Sequence, residues 1–175
     1  GGTKITNSST MNQTSTGYIV AHWTEHQYTV EYDKNHADAT GTMASSVKKY
    51  SEVFNLAQNR FSRTGYKFLG WATSSTGSMV HTDQKQVSKL TATNNGTVRL
   101  YAKWAGNTYT VNFDKNATSA TAGTTMSLTK TYGTNLTLPK TGSGAPTRTG
   151  YTFKGWATTA GATAAAYTTT LSTDL

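Results

Sequence analysis

Four histidines, His22, His26, His36 and His81, are the side chains that chemistry would use first. No His-Glu-x-x-His motif occurs, and none of the four histidines recurs at a matched position in another copy, so a zinc site in each unit is not expected. The chain has no cysteine, which removes thiolate nucleophiles, disulfides and Cys-ligated metals. Glycoside hydrolysis needs two facing carboxylates. Asp33 and Asp114 occupy matching places in the chain, but Glu52 and Asp83 have no second copy. No Gly-x-Ser-x-Gly elbow occurs. The run Thr141-Gly-Ser-Gly-Ala-Pro146 lacks the Gly-Lys-Ser/Thr ending of a phosphate loop. The triplets Asp33-Lys34-Asn35 and Asp114-Lys115-Asn116 hold the groups of a Lys–Asn isopeptide bond. That bond needs the two residues on neighbouring strands in an apolar pocket, which adjacent residues cannot provide. Both triplets read instead as turns, with the aspartate accepting local backbone N–H groups. The chain is therefore expected to be neither an enzyme nor a cofactor binder.

Binding is the chemistry that remains. The 175 residues carry 16 Lys and Arg against 8 Asp and Glu, a formal net charge of +8. Residues 28–104 hold ten basic and five acidic residues, and residues 109–175 five and two, so the charge is spread and not held in a tail. Local clusters occur only at Lys48-Lys49 and at Lys85 and Lys89. Tyr101 alternates out of phase with Val98, Leu100 and Ala102, which exposes it for stacking on a sugar. These five residues are the candidate ligand contacts, with a host-cell receptor or an acidic polysaccharide as candidate partner. Nucleic acid is not expected, because no paired surface aromatics of the RNP type occur. Membrane insertion is not expected either, because no stretch approaches about 18–20 apolar residues. Asn-x-Ser/Thr triplets at Asn7, Asn12, Asn95, Asn116 and Asn135 follow from composition, since threonine makes up about a fifth of the chain.

The elements that position these residues come in repeats. Tyr28-Thr-Val-Glu-Tyr-Asp-Lys-Asn35 matches Tyr109-Thr-Val-Asn-Phe-Asp-Lys-Asn116 at an offset of 81. Arg63-Thr-Gly-Tyr-Lys-Phe-Leu-Gly-Trp-Ala-Thr73 matches Arg148-Thr-Gly-Tyr-Thr-Phe-Lys-Gly-Trp-Ala-Thr158 at an offset of 85. Ile19-Val-Ala-His-Trp23 matches Leu100-Tyr-Ala-Lys-Trp104, again at 81. Alternation predicts strands at 28–32, 66–71 and 97–104, and a more polar strand within 43–50. Short helices are predicted at Asp83–Leu90, with Asp83 as N-cap, and near Glu52–Asn59. The expected core is Tyr28, Val30, Tyr66, Phe68, Trp71 and Trp104 in one copy and Tyr109, Val111, Phe113, Tyr151, Phe153 and Trp156 in the next. Burying each aromatic contributes roughly 2–3 kcal/mol.

The blocks Tyr-Thr-Val-x-Phe/Tyr-Asp, Arg-Thr-Gly-Tyr-x-Phe-x-Gly-Trp-Ala-Thr and Leu-Tyr-Ala-Lys-Trp resemble the Listeria–Bacteroides repeat, also called the internalin B B-repeat. The likeness covers nearly all of the chain beyond its first dozen residues. It implies an α+β, mostly β architecture: tandem small β-grasp-like repeat domains with short helices. It implies extracellular modules of bacterial surface or secreted proteins, with adhesion and stalk roles and no catalysis. The expected domains are 1–26, the last strand of a preceding repeat plus a linker; 27–105, a complete repeat; and 106–175, a repeat cut short before its last strand. The chain, which begins Gly-Gly, is expected to be a piece of a larger protein. Three functions follow: an adhesin stalk or spacer, a binding module for acidic glycans, and an appended region of a secreted enzyme. A monomer is expected, with one alternative. The front segment Gly17–Trp23 matches the strand that the last repeat lacks, so it can complement that repeat in cis or from another chain, or else belong to the first folded unit.

Overall fold

The computed structural model describes residues 20–142 and 144–174. Ten strands follow one another: β1 Gln27–Asp33, β2 Ser46–Lys49, β3 Phe54–Asn55, β4 Tyr66–Ala72, β5 Gln86–Val87, β6 Gly96–Gly106, β7 Thr108–Asn112, β8 Ser127–Thr131, β9 Leu136–Thr137 and β10 Thr170–Leu171. Among the described residues there is no helix.

The first unit is built on a four-stranded sheet in the order β2-β1-β6-β4. Strand β6 is central. It runs parallel to β1, with Val30 opposite Val98 and Tyr32 opposite Leu100, and antiparallel to β4, with Phe68 opposite Trp104. Alternation dictates which side chains turn inward. Tyr28, Val30, Leu100, Ala102 and Trp71 are completely buried, and Tyr32, Phe68 and Trp104 pack against them half-buried. Trp71 is the hub, in ring contact with Tyr32 at 4.8 Å, Phe68 at 4.9 Å and Phe61 at 6.2 Å.

A parallel pair needs a long crossover between its strands, and here the crossover lays a β3–β5 ribbon over the sheet. Phe54 pairs with Val87, and Phe54, Leu56, Phe61, Val87 and Leu90 close the core from that side. This corrects the expectation of short helices. Asp83 does not cap a helix: its Oδ1 accepts from Asn59 N at 2.9 Å and Gln84 N at 3.1 Å, which ties two loops together. Gln84 and Lys89 take positive φ, 54° each, which a continuing helix excludes. Val87 and Leu90 reach the core as expected, from a strand and a loop. The mostly β character stands, while the helix that a β-grasp unit would carry is not formed.

The second unit repeats several of these parts. Strands β7 and β8 pair as β1 and β2 do, and β9 and β10 pair as β3 and β5 do. Its core is Phe113, Leu138 and Leu171, with Val111, Trp156 and Tyr167 packed against them. Among the described residues no counterpart of β6 is formed, and residues 151–157 are not part of a named strand. They form no strand beyond one bridge from Trp156 to Tyr167. Tyr151, expected in the core, is 65% exposed. This too is a correction: its counterpart Tyr66 is half-buried against the Tyr132 ring at 5.4 Å, whereas the Tyr151 ring meets the Arg148 guanidinium at 3.7 Å. At the front, Gly17–Ile19 lie outside the described residues. Val20–Trp23 form no strand, and Val20 and Trp23 are 68% and 91% exposed.

Candidate functional site

The repeated Asp-Lys-Asn turns have the same wiring in both units. Asp33 Oδ1 accepts from Asn35 N at 2.7 Å, and Asp114 Oδ1 from Asn116 N at 2.6 Å. The two asparagines sit at φ 56° and 52°, the left-handed region that Asn tolerates best after Gly. Lys34 Nζ donates to Ala39 O, and Lys115 Nζ to Ala120 O at 2.9 Å. Asn35 Nδ2 donates to Ser75 O at 2.9 Å and Ala102 O at 3.0 Å, pinning the turn to β6. Each group of the triplet therefore has a local structural task, and Lys34 and Lys115 point at backbone carbonyls.

The five candidate ligand contacts do not form one patch. Lys48 turns inward beside Tyr28, half-buried, with Nζ 2.8 Å from Glu52 Oε1 and 4.6 Å from the centre of the Phe54 ring. Lys49 and Lys89 are exposed on either side of Tyr50, whose carbonyl accepts from Lys89 N. Lys85 is exposed next to the β3–β5 ribbon. Tyr101 is half-buried on the outer face of β6, in register with Asp33. That face carries a two-contact pair, Arg99 Nε and Nη2 to Glu31 Oε2 at 3.2 and 2.9 Å. Glu25 and Glu52 stand among the lysines, their carboxyls held below the ordinary value by hydrogen bonds from Ser51 and Lys48 respectively. The basic corner is thus interrupted by negative charge.

His36 belongs to a polar cluster of the first unit only. Arg63 Nε donates to Asp38 Oδ1 at 2.7 Å and Nη2 to His36 Nε2 at 2.7 Å. His36 Nδ1 bonds the same Asp38 carboxylate, so the neutral ring must carry its proton on Nδ1. Arg63 also lies 3.6 Å from the centre of the Tyr66 ring, and Arg148 repeats this over Tyr151 at 3.7 Å. Among the described residues, no three His, Cys, Asp or Glu side chains are grouped to hold a metal ion.

Lys130 was not singled out by its sequence, yet it is 1% exposed. It pairs across from Tyr109 as Lys48 does from Tyr28, so each unit directs one lysine inward. Its Nζ donates to Asp174 Oδ1 at 2.6 Å and to Thr134 O at 2.7 Å. Thr134 occupies the place of Glu52, so a carboxylate near the other end of the unit serves instead. The signal in the sequence was the matching register of the Lys48 and Lys130 strands, hidden by the threonines around Lys130.

Asp174 also accepts from Gly133 N at 3.0 Å, and Lys130 before all else holds its carboxyl below the ordinary range. In the unfolded chain that carboxyl takes up a proton at higher pH than in the folded unit. Its stabilisation is complete above the ordinary carboxylate value of about 3.9 and is lost as pH falls through the lower folded value. Asp174→Asn is expected to flatten this acid limb of the second unit's thermal stability, read by calorimetry between neutral pH and strongly acid pH. An unchanged acid limb would show that Lys130 does not depend on Asp174.

A groove of about 1090 Å³ lies in the second unit, between β7 and residues 151–157. Tyr109, Val111, Phe113, Phe153 and Trp156 line it. They correspond to Tyr28, Val30, Tyr32, Phe68 and Trp71, which in the first unit contact β6.

Two small β units that share their turns, their inward lysine and their aromatic hub make this a tandem-repeat protein. The Listeria-Bacteroides repeat domain model matches residues 28–103 and 109–174, and the chain belongs to that family. A protein of Evansella cellulosilytica carrying the name Gly-rich membrane protein is 30% identical over 141 residues, 79% of this chain and 15% of its own length. A second protein of that organism, named as a membrane protein, is 33% identical over 90 residues, 51% of this chain and 13% of its own length. The chain therefore spans about a seventh of these relatives. No solved structure matches it.

Proposed function

We propose that the chain is a non-catalytic repeat module of a bacterial cell-envelope protein, displayed outside the cell, and that it acts as the stalk or spacer of an adhesin. Membership of the repeat family and relatives named as membrane proteins support the location. The junction carries the spacer reading. Only Asn107 separates β6 from β7, and it is bonded on both sides: its N–H to Gly65 O and its carbonyl to Tyr132 N, each at 2.8 Å. The Tyr132 ring meets Tyr66 edge-on at 5.4 Å. A joint tied in this way limits bending and suits an array that lengthens by adding units.

The second reading, a module for acidic glycans, is favoured by the net charge of +8 and the exposed Lys49, Lys85 and Lys89. Two measurements separate the readings. Small-angle scattering from chains with increasing repeat number should show the maximum dimension growing by a constant step per repeat. Growth with the square root of repeat number, as in a flexible coil, would sink the spacer. Heparin and teichoic acid should not bind at physiological salt. Binding there that is lost on adding salt would carry the glycan reading.

A further inference from the structure

We propose that the corner of the first unit formed by Arg63, Gly65 and Tyr66 is a docking face for the following repeat. It accepts a second strand that ends in Tyr-Gly, and it makes the folding of the two units depend on each other. Tyr66 gives the first indication. Its place in the strand alternation assigns it to the core, yet the residues that form the first core do not include it. Its ring instead meets the Tyr132 ring at 5.4 Å, with the planes at 76°, and Arg63 lies 3.6 Å from its centre.

The contact is reciprocal. Each tyrosine sits over a glycine of the other unit. A Cβ on Gly65 would overlap the Tyr132 ring, and a Cβ on Gly133 would overlap Tyr66 Oη. The end of β6 adds a third close approach, since a Cβ on Gly106 would lie 2.6 Å from Tyr132 O and 2.9 Å from Thr131 Cγ2. Two side chains seated in two holes fix the angle between the units, which a single contact would leave free to pivot.

The polar cluster of the first unit gives this face its rigidity. Arg63 Nε and Nη2 are both engaged, by Asp38 and His36 at 2.7 Å each, and the side chain is only 10% exposed. The segment that carries Asp38 is itself tied down, because Thr40 and Ser62 exchange backbone hydrogen bonds of 2.8 and 3.1 Å. A surface ion pair contributes little to stability on its own. The consequence of this cluster lies in what it holds, the Arg63 guanidinium against the Tyr66 ring. In the second unit Arg148 stacks on Tyr151, but Ala117 and Ser119 stand in the places of His36 and Asp38. The cluster therefore belongs to this joint and not to the repeat in general.

The face also selects its partner. Strand β8 runs into Tyr132-Gly133, whereas β2 runs into Tyr50-Ser51. The tyrosine recurs and the glycine does not. Ser51 carries the Cβ that Tyr66 Oη excludes at Gly133, so the face fits the second unit and rejects a copy of the first.

Native-state hydrogen exchange on the full chain, resolved by NMR, tests this by changing one unit and reading the other. Gly133→Ser lies in the second unit. The slow amides of β1, β4 and β6 should then exchange about two- to tenfold faster, the range that an edge-on aromatic pair supplies. Tyr66→Phe removes the oxygen that the new Cβ meets. Adding Gly133→Ser to Tyr66→Phe should therefore change first-unit exchange by less than about twofold. Asp38→Ala gives the opposite reading, since Asp38 is exposed and its hydrogen-bond partners, Arg63 and His36, both lie in the first unit. It should speed exchange in β7 and β8 by about twofold or more. Faster exchange confined to the substituted unit overturns the proposal. So does an effect of Gly133→Ser that persists in full beside Tyr66→Phe. If Gly133→Ser unfolds the second unit, Asp38→Ala decides: unchanged exchange in β7 and β8 overturns the proposal. The inference starts from the joint that supports the spacer reading but does not need that reading. Scattering from linked repeats reads extension, exchange reads coupling, and either can fail alone.

Discussion

Trp71→Ala is expected to lower the stability of the first unit by about 3–5 kcal/mol. The side chain is completely buried, and three aromatic rings lose their common neighbour. A unit of this size has a total stability of roughly 4–12 kcal/mol, so the loss takes much of it. In calorimetry the first unit's transition should fall by at least 12 °C, at about 4–8 °C for each kcal/mol. One detail sharpens the test. Trp71 Nε1–H is buried with no acceptor among the described residues, whereas Trp156 Nε1–H donates to Pro139 O at 2.8 Å. Trp71→Phe removes that unsatisfied donor along with the lost volume, so it should cost much less than Trp71→Ala. Trp156→Ala should also cost less, because Trp156 is half-exposed whereas Trp71 is completely buried. An unshifted transition for Trp71→Ala would remove this residue from the centre of the fold.

Gly70→Ala should have the next largest effect. Strand β4 bulges against β6 between Phe68 and Gly70, and Gly70 takes φ 150°. A methyl group there would lie 2.4 Å from His81 O and 2.6 Å from Met79 Sδ. Met79 can swing aside. The His81 carbonyl cannot, because it accepts from Trp71 N at 2.8 Å. Backbone strain of about 1–3 kcal/mol and a weakened hydrogen bond of about 1 kcal/mol add together. Two controls grade the effect. Gly150→Ala meets open space but keeps φ 80°, so it should cost about 1–2 kcal/mol. Gly161→Ala has neither clash nor positive φ and should be neutral. Equal effects at Gly70 and Gly161, by urea titration, would mean that the bulge is not a constraint.

Much of the first unit was legible because its signals are periodic. Tyr28, Val30 and Tyr32 alternate, and so do Leu100 and Ala102, and each pattern marks a strand face. The Gly-Trp step of the repeated block was visible too, although only the bulge explains the glycine. The helix at Asp83–Leu90 was misread because a capping aspartate and two apolar residues three apart fit a helical turn as well as a loop and ribbon. What decides is Asn59, distant in sequence, whose N–H takes the Asp83 carboxylate. The exposure of Tyr151 had a related cause: its counterpart Tyr66 packs against the Tyr132 ring, a contact between repeats that alternation within one repeat does not show. Lys130 escaped notice because its carboxylate partner moved from Glu52 to Asp174, which no alignment of the two repeats shows. Among the candidate ligand contacts, charge could be counted in advance, but the carboxylates interleaved with the lysines could not.

The parallel pairing of β1 with β6 bears on how the protein would respond to load. The chain enters the first unit at the start of β1 and leaves at the end of β6, and these two strands are neighbours. A pull along the chain therefore slides one strand lengthwise past the other. All the hydrogen bonds between them are strained together instead of opening one by one from an end. Longitudinal shear is the loading direction in which a sheet yields last, so each complete unit would transmit tension before it unravels.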